Sequence, residues 1–300
     1  MKTVVCGSEI QVSGRFVRVG RFEADGIDFP KNVNAVLEEI PRARVPVDIF
    51  TFIQVLPCTK PEFDYPVEWD NFAALPITTF DHWWMKQIDF KVRNKARKGE
   101  KNGLSVREVE FDDALVSGLS EIYNETPVRQ GKRFWHYGKD LATVRRENST
   151  FLDRSILIGA FFEQRLVGFL KMVIDEDRGQ AGVMQILSMI KHRDKAVTNA
   201  LIAHGVKSCA ERRIPYIVYS NFSYGKKLRD SLADFKQYNG FQRIEIPRYY
   251  VPLTLKGRLA LQLGFHHRLA ERLPETVLTS VRKARSRWYS RKFQIPKEAL

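Results

Sequence analysis

The sequence predicts an α+β protein, built as a mostly antiparallel sheet flanked by helices, and two observations carry that expectation. Between residues 104 and 254, β-rich runs and helical periodicities follow in the order β, α, α, β, β, β, α, β, α, β, β. Three successive strand candidates, 155–162, 166–174 and 181–190, are joined by short turns at Glu163-Gln164 and around Asp175 to Gly179. Turns of that length make hairpins, so this stretch reads as an antiparallel meander. A helical pattern over 195–212 then supplies a crossover to a strand at 216–220, with Val197, Leu201, Ile202, Val206 and Ala210 on its buried side.

Residues 1–60 alternate β-rich runs with Gly and Pro. The period of two in Arg15-Phe16-Val17-Arg18-Val19 predicts a half-buried strand, and 47–53 is a second candidate. Asn32 to Ile40 predicts a short helix ending before Pro41, and 56–70, with Pro57, Pro61 and Pro66, predicts a loop. A long helix is expected from Thr79, which with Asp81 is a capping candidate. Met85, Ile88, Val92 and Ala96 form its apolar stripe, Lys91, Lys95 and Lys98 lie off the stripe, and Asn102 or Gly103 ends it in a left-handed cap. A strand at 104–109 and helices at 112–123 and 138–147 lead into the meander; a short helix at 226–236 and strands at 241–246 and 249–253 follow the crossover. The expected organisation is an N-terminal segment (1–103), a central domain (104–254) and a basic helical tail (255–300).

An apolar content of 44% with 28% charged residues fits a globular protein. Cys6, Cys58 and Cys209 are odd in number and far apart, which excludes a local disulfide framework or a CxxC metal pair and suggests a reducing, cytoplasmic setting. The apolar run before Glu9 is too brief for a signal-peptide core, and no run of eighteen apolar residues predicts a spanning helix. The net charge of +14 is concentrated: 81–103 carries +4 and 256–300 carries +8. Such asymmetry suggests polyanionic partners, namely a phosphate-bearing acceptor, RNA or an acidic membrane at the inner face. Two solvated basic helices would give the same charge map.

Three segments are candidates for chemistry. Ser188 to Leu201 runs from an apolar strand through a basic turn into a helix, whose start offers unpaired N–H groups and a positive dipole end. Ser188, Arg193, Lys195 and Asn199 are the donor-binding candidates there. The second segment, 123–138, joins two helices and is dense in aromatic and basic residues. Tyr123, Glu125, Arg129, Gln130, Trp135, His136 and Tyr137 are its acceptor-binding candidates, and a small satellite core is the competing role for Phe134, Trp135 and Tyr137. The third is Phe235-Lys236-Gln237-Tyr238-Asn239-Gly240-Phe241.

The element order matches the GNAT acyltransferase fold. The Phe235-Lys236 pair ahead of Gly240, and the run Arg93-Asn94-Lys95-Ala96-Arg97-Lys98-Gly99-Glu100-Lys101-Asn102-Gly103, resemble motifs of the Fem-type aminoacyltransferases, a GNAT-related family using aminoacyl-tRNA. The resemblance spans 70–254 and implies an active-site role for Lys236, a leaving-group proton from Tyr224, and an acceptor site beneath 123–137. Residues 1–103 are too few for that family's complete first domain, so a partial GNAT-like half is expected. The turn also resembles the GNAT pyrophosphate loop, but Ala196 and Thr198 fill its two glycine positions, which argues against acetyl-CoA. Acyl-CoA and aminoacyl-tRNA both stay open as donors.

No Ser-His-Asp arrangement is legible, and the adjacent His266-His267 reads as a poor chelate, so no metal is expected. The tail places Arg282, Lys283, Arg285, Arg287, Arg291 and Lys292 around Trp288 and Tyr289, a composition suited to RNA or an acidic membrane. The expected function is N-acyl or aminoacyl transfer to a phosphate-bearing or cell-envelope-related acceptor. The alternatives are an ordinary acetyl-CoA-dependent N-acetyltransferase and a non-catalytic scaffold that binds RNA or membrane.

Overall fold

The computed structural model describes residues 1–23, 25–27, 32–177, 179–223, 231–267 and 275–293. In chain order the strands are β1 Lys2–Val5, β2 Ser8–Ser13, β3 Val19–Phe22, β4 Ile49–Ile53, β5 Val67–Pro76, β6 Ser105–Glu108, β7 Val128–Arg129, β8 Lys132–Arg133, β9 Ser155–Phe162, β10 Arg165–Ile174, β11 Ala181–Ser188, β12 Tyr216–Asn221 and β13 Gln242–Pro252. Eleven of them form one continuous sheet in the order β1-β2-β3-β4-β13-β5-β12-β11-β10-β9-β6, while β7 and β8 make a separate small hairpin. Pairing is antiparallel except at β3–β4 and β11–β12. The helices are α1 Val33–Arg42, α2 Phe80–His82, α3 Phe90–Lys101, α4 Asp113–Asn124, α5 Leu141–Asn148, α6 Val197–Glu211, α7 Ser231–Tyr238, α8 Leu255–Gln262 and a C-terminal helix Glu275–Lys292.

The meander β9–β10–β11 is the spine of the C-terminal half. Its inward residues, among them Ile158, Phe169, Leu170 and Met172, are fully buried beneath α4 on one face and α6 on the other. Trp83, Leu119, Tyr123, Leu201 and Val206 close the same core. A second core fills the N-terminal half around Ile10, Phe22, Phe50, Phe52 and Tyr249.

Several expectations are corrected. Residues 15–18 form the bend between β2 and β3, with Gly14 at φ +99° and Phe16 exposed, so their period of two belongs to a turn. The 56–70 loop ends early, because β5 begins at Val67. That strand, rich in acidic residues and alanine, has a weak strand signature, yet it joins the two halves by pairing with both β13 and β12. The long helix from Thr79 is interrupted: Thr79 caps α2, a π-helical turn follows over Trp83–Gln87, Ile88 turns extended, and Asp89 caps α3 afresh. Met85 of the expected stripe is consequently exposed. Gly103, at φ +84°, supplies the left-handed end, whereas Asn102 does not. Pro41 lies inside the last turn of α1. Pro247 does not split β13, because it precedes the first β13–β4 pair, where the strand has a neighbour on one side only.

Candidate functional site

The site begins as a flaw in the sheet. Parallel strands β11 and β12 pair only at Ala181–Ile217 and Gly182–Val218 and then diverge. A bulge helps turn β12 away: its register against β5 shifts between Val218 and Asn221, and Ser220 takes a left-handed φ of +47°. The β12-facing edge of β11 beyond Gly182 therefore has no strand partner among the described residues, and its amide groups border open space.

Two clefts border this divergence. The larger, about 690 Å³, lies between the end of β11, the start of α6, Tyr219, Phe235 of α7 and the β7–β8 hairpin. The smaller, about 350 Å³, lies toward the N-terminal half and is lined by Val183, Met184, Ser220, Asn221, Asp25 and Arg248, among others. Lys236 lines neither, but touches one lining residue of each. Its fully buried ammonium donates to the Asn221 carbonyl, which borders the smaller cleft, and lies 4.5 Å from the Tyr219 ring centroid, which borders the larger. A third groove, about 750 Å³, runs along the far edge of the sheet beside β6 and α4. It is open and acidic, with Glu108 and Glu121 engaged by Arg212 and Arg165, and the predicted residues lie elsewhere.

The donor side is built around a 3-10 turn, Ile190–Lys195, and the start of α6. Glu125 closes that turn by accepting from the amides of Ile190 (2.7 Å) and Lys191 (3.0 Å). No side chain caps α6, which leaves its positive end available to an anion. Ala196 enters the helix at φ +50°, ψ +38°, the left-handed conformation that a glycine would adopt more readily. Thr198 turns its hydroxyl to Ser188, 3.1 Å away. Gly99 lets α3 pack onto this turn: a Cβ there would sit 2.5 Å from the Lys195 carbonyl oxygen.

On the opposite wall, Gln130 and Gly131 both take positive φ, as a two-residue hairpin turn requires, so this stretch of the expected loop is the β7–β8 hairpin. Arg129 donates to the carbonyls of Ser188 and Ile122, both at 2.9 Å, and so ties the end of β11 to α4. Burial lowers its pKa from the ordinary value, and the Glu125 carboxylate opposes that. Behind it lies a polar network: the Tyr123 phenol oxygen accepts from Gln185 (2.7 Å) and Asn148 (3.1 Å). Burial raises the pKa of that phenol. The His136 ring lies tilted against Tyr123 with centroids 4.1 Å apart, and burial, helped by the charges of Lys139 and Arg129, lowers its pKa to about 4. Lys171, the one cation in an apolar run of β10, donates to the carbonyls of Asn148 and Thr150, and burial brings its pKa to about 8. Three buried polar atoms in this wall, Arg129 Nε, His136 Nδ1 and Gln185 Oε1, have no hydrogen-bond partner.

Of the predicted residues, Ser188, Arg193, Asn199, Arg129 and Gln130 line the larger cleft together, and Lys236 is buried against the ring of Tyr219, which also lines it. Tyr123 and His136 lie behind its wall, and Glu125 serves the turn. Lys195 leans away, 4.2 Å from the Phe162 ring and 3.4 Å from Asp194. Trp135 and Tyr137 are exposed, while Phe134 is buried. Tyr224 lies outside the described residues. Sequence reasoning missed Tyr219, Asn148 and Lys171, although a lone lysine inside an apolar strand is a readable signal for the last. It also treated His266-His267 by adjacency alone: Glu68 Oε1 lies 2.8 Å and 3.1 Å from their Nε2 atoms, a carboxylate–imidazole cluster outside the clefts.

A mostly antiparallel sheet split between two parallel strands, with a helix start aimed into the split, is the GNAT acyltransferase fold. Several solved structures share this fold. One is the C-terminal domain of a protein assigned as a lysylphosphatidylglycerol synthetase from Agrobacterium fabrum, at TM-score 0.57 and 12% identity, covering 87% of this chain and 86% of that one. Others are L-PGS from Bacillus licheniformis (TM-score 0.56, 13% identity, 84% and 86% covered) and FemX (TM-score 0.55, 10% identity, 85% and 86% covered). No protein-family model and no curated protein matches the sequence.

Proposed function

We propose that this protein transfers an acyl or aminoacyl group to a phosphate-bearing or cell-envelope-related acceptor. The observation that carries the proposal is the divergence of β11 from β12, which opens a cleft walled by Arg193, the uncapped start of α6 and Tyr219, against whose ring the buried Lys236 ammonium lies. The larger cleft would hold the donor, with its phosphates toward Arg193 and the start of α6. The acceptor would approach from the smaller cleft. Its nucleophile attacks the donor carbonyl, a new bond to carbon forms, the bond to the leaving oxygen or sulfur breaks, and the proton passes to the leaving group. Lys236 would stabilise the negative charge that develops on the carbonyl oxygen, together with the unpaired amides of β11. Similarity to a lysylphosphatidylglycerol synthetase domain and to FemX supports an aminoacyl donor.

A second donor reading rests on Ala196. Because its backbone already has the conformation a glycine would supply, and Thr198 is turned toward Ser188, the loop retains the shape of a pyrophosphate cradle. Acetyl-CoA therefore stays in contention. Mass spectrometry of acceptor pools from cells with the wild-type protein and with Lys236→Met tests the function: an added acyl or aminoacyl mass is expected only with the wild type. Calorimetric titration with acetyl-CoA separates the donors, micromolar binding favouring CoA.

A further inference from the structure

Helix α8 is seated with the wrong face inward. Thr254 caps it, accepting from the Gly257 amide at 2.9 Å, and its buried residues are Gly257 and Ala260. A Cβ on Gly257 would lie 1.9 Å from the Asp48 carbonyl oxygen, so the helix rests directly on the backbone that leads into β4. A surface helix ordinarily buries its largest apolar side chains. This one buries its smallest and turns Leu255 (82% exposed) and Leu259 (57%) to the outside. Leu263, four residues beyond Leu259 at the helix cap, extends that row, and Phe265 just past it is also more than half exposed. Arg258 is exposed beside them.

The C-terminal helix repeats the pattern. Val277, Val281 and Trp288 are exposed on it, in company with the exposed Arg285, Arg287, Arg291 and Lys292. It lies against β8, whose Lys132 and Arg133 are also exposed, beside the hairpin that walls the larger cleft. Segment 256–300 carries a net +8.

We propose that the protein docks on an anionic lipid bilayer through the outward leucine face of α8 and the basic C-terminal helix. Charge complementarity selects the anionic headgroups, and the leucine row selects a medium with an apolar layer beneath them. An RNA backbone would satisfy the arginines and leave the leucines in water. A second copy of the chain would bring like-charged faces together. Docking in this way would place the wall of the larger cleft near the headgroups, and it can be read without any turnover.

The test is flotation of the full chain with vesicles of phosphatidylcholine alone or with about a third phosphatidylglycerol. The wild type is expected to float with the anionic vesicles, and Leu255→Glu/Leu259→Glu to bind them about tenfold more weakly or worse, with unchanged circular dichroism. Arg285→Glu/Arg287→Glu, on the other helix, is expected to show a similar loss and keeps the proposal testable should the first variant misfold. Wild-type failure to float overturns the proposal, as does anionic-vesicle binding left at the wild-type level by a folded leucine variant. So does a wild-type dimer in sedimentation that the leucine substitutions dissolve, or displacement of the protein from vesicles by poly(U) in the leucine variant and wild type alike.

Discussion

Arg248 in the N-terminal half is half-buried and His136 in the C-terminal half is buried, and their surroundings treat them in opposite ways. Arg248 donates to Asp70 at 2.6 Å and to Asp25 at 2.8 Å, and Thr51 is a third partner at 3.3 Å. Burial works against its charge, but the two carboxylates outweigh burial and raise its pKa. Gln180, nearby, meets the Leu56 amide and the carbonyls of Gly26 and Ile27. His136 has an aromatic ring on each side and a buried Nδ1 with no partner, and Arg129 Nε and Gln185 Oε1 share that condition. A buried polar group left unmet raises the free energy of the empty protein by about 1–3 kcal/mol. The network around Arg248 avoids that cost; the wall of the larger cleft carries it at three atoms. Among the described residues Gln87 Oε1, Arg93 Nε, Asn239 Oδ1 and His266 Nδ1 are also buried without a hydrogen-bond partner, all outside that wall, whereas the three in the wall lie together.

The contrast can be broken most sharply at Arg248. Replacing it with alanine leaves the partly buried Asp25 and Asp70 without their cation, and a loss of about 3 kcal/mol in urea unfolding is expected, the lower end for a fully buried pair. A loss below about 1 kcal/mol would mean the N-terminal half is not held by this network. Lys236→Met should lower turnover about 10²–10³-fold, read by product mass, with a smaller effect on unfolding than the Arg248 change. The third prediction concerns pH. The unfolded chain protonates His136 below about 6.5, the folded chain only below about 4. Its contribution is thus complete above 6.5 and is lost as pH falls toward 4, by about 3 kcal/mol. In His136→Phe that part of the acid sensitivity should vanish; an unchanged pH profile would sink the assignment. The smallest effect is expected at Ala196→Gly, which relieves the left-handed strain and should stabilise the fold by about 0.5–1 kcal/mol. A rise in acetyl-CoA affinity in the same variant would sharpen the donor question.

The meander and its crossover helix were legible because local signals agree there. β9 occupies Ser155–Phe162, as expected from an apolar run ended by a turn, and α6 occupies Val197–Glu211 within the predicted 195–212. β5 was not legible, since Glu68, Asp70, Asn71 and two alanines are poor strand formers that a central position in the sheet overrides. The break at Ile88–Asp89 was hidden for a related reason: the apolar stripe continues across it, while the tie from the Asp89 amide to the Tyr238 carbonyl is long-range. Within the site, residue type marked Arg193, Arg129 and Lys236 as candidates. It did not distinguish Lys195, which turns toward Phe162, or Trp135, which faces solvent.

The sequence alone determined the class of fold, the order of most elements in the C-terminal half, the clustering of positive charge at two segments and the residues most worth watching. Those properties are written in local periodicity, turn chemistry and composition. The tertiary structure decided where β11 and β12 part, which of the basic residues line the cleft there, that Lys236 is buried against Asn221 and Tyr219, and that α8 presents its leucines outward. Each of these depends on contacts between residues far apart in the chain, such as Lys236 with Asn221 or Gly257 with Asp48, and no local pattern encodes which partner a side chain will meet.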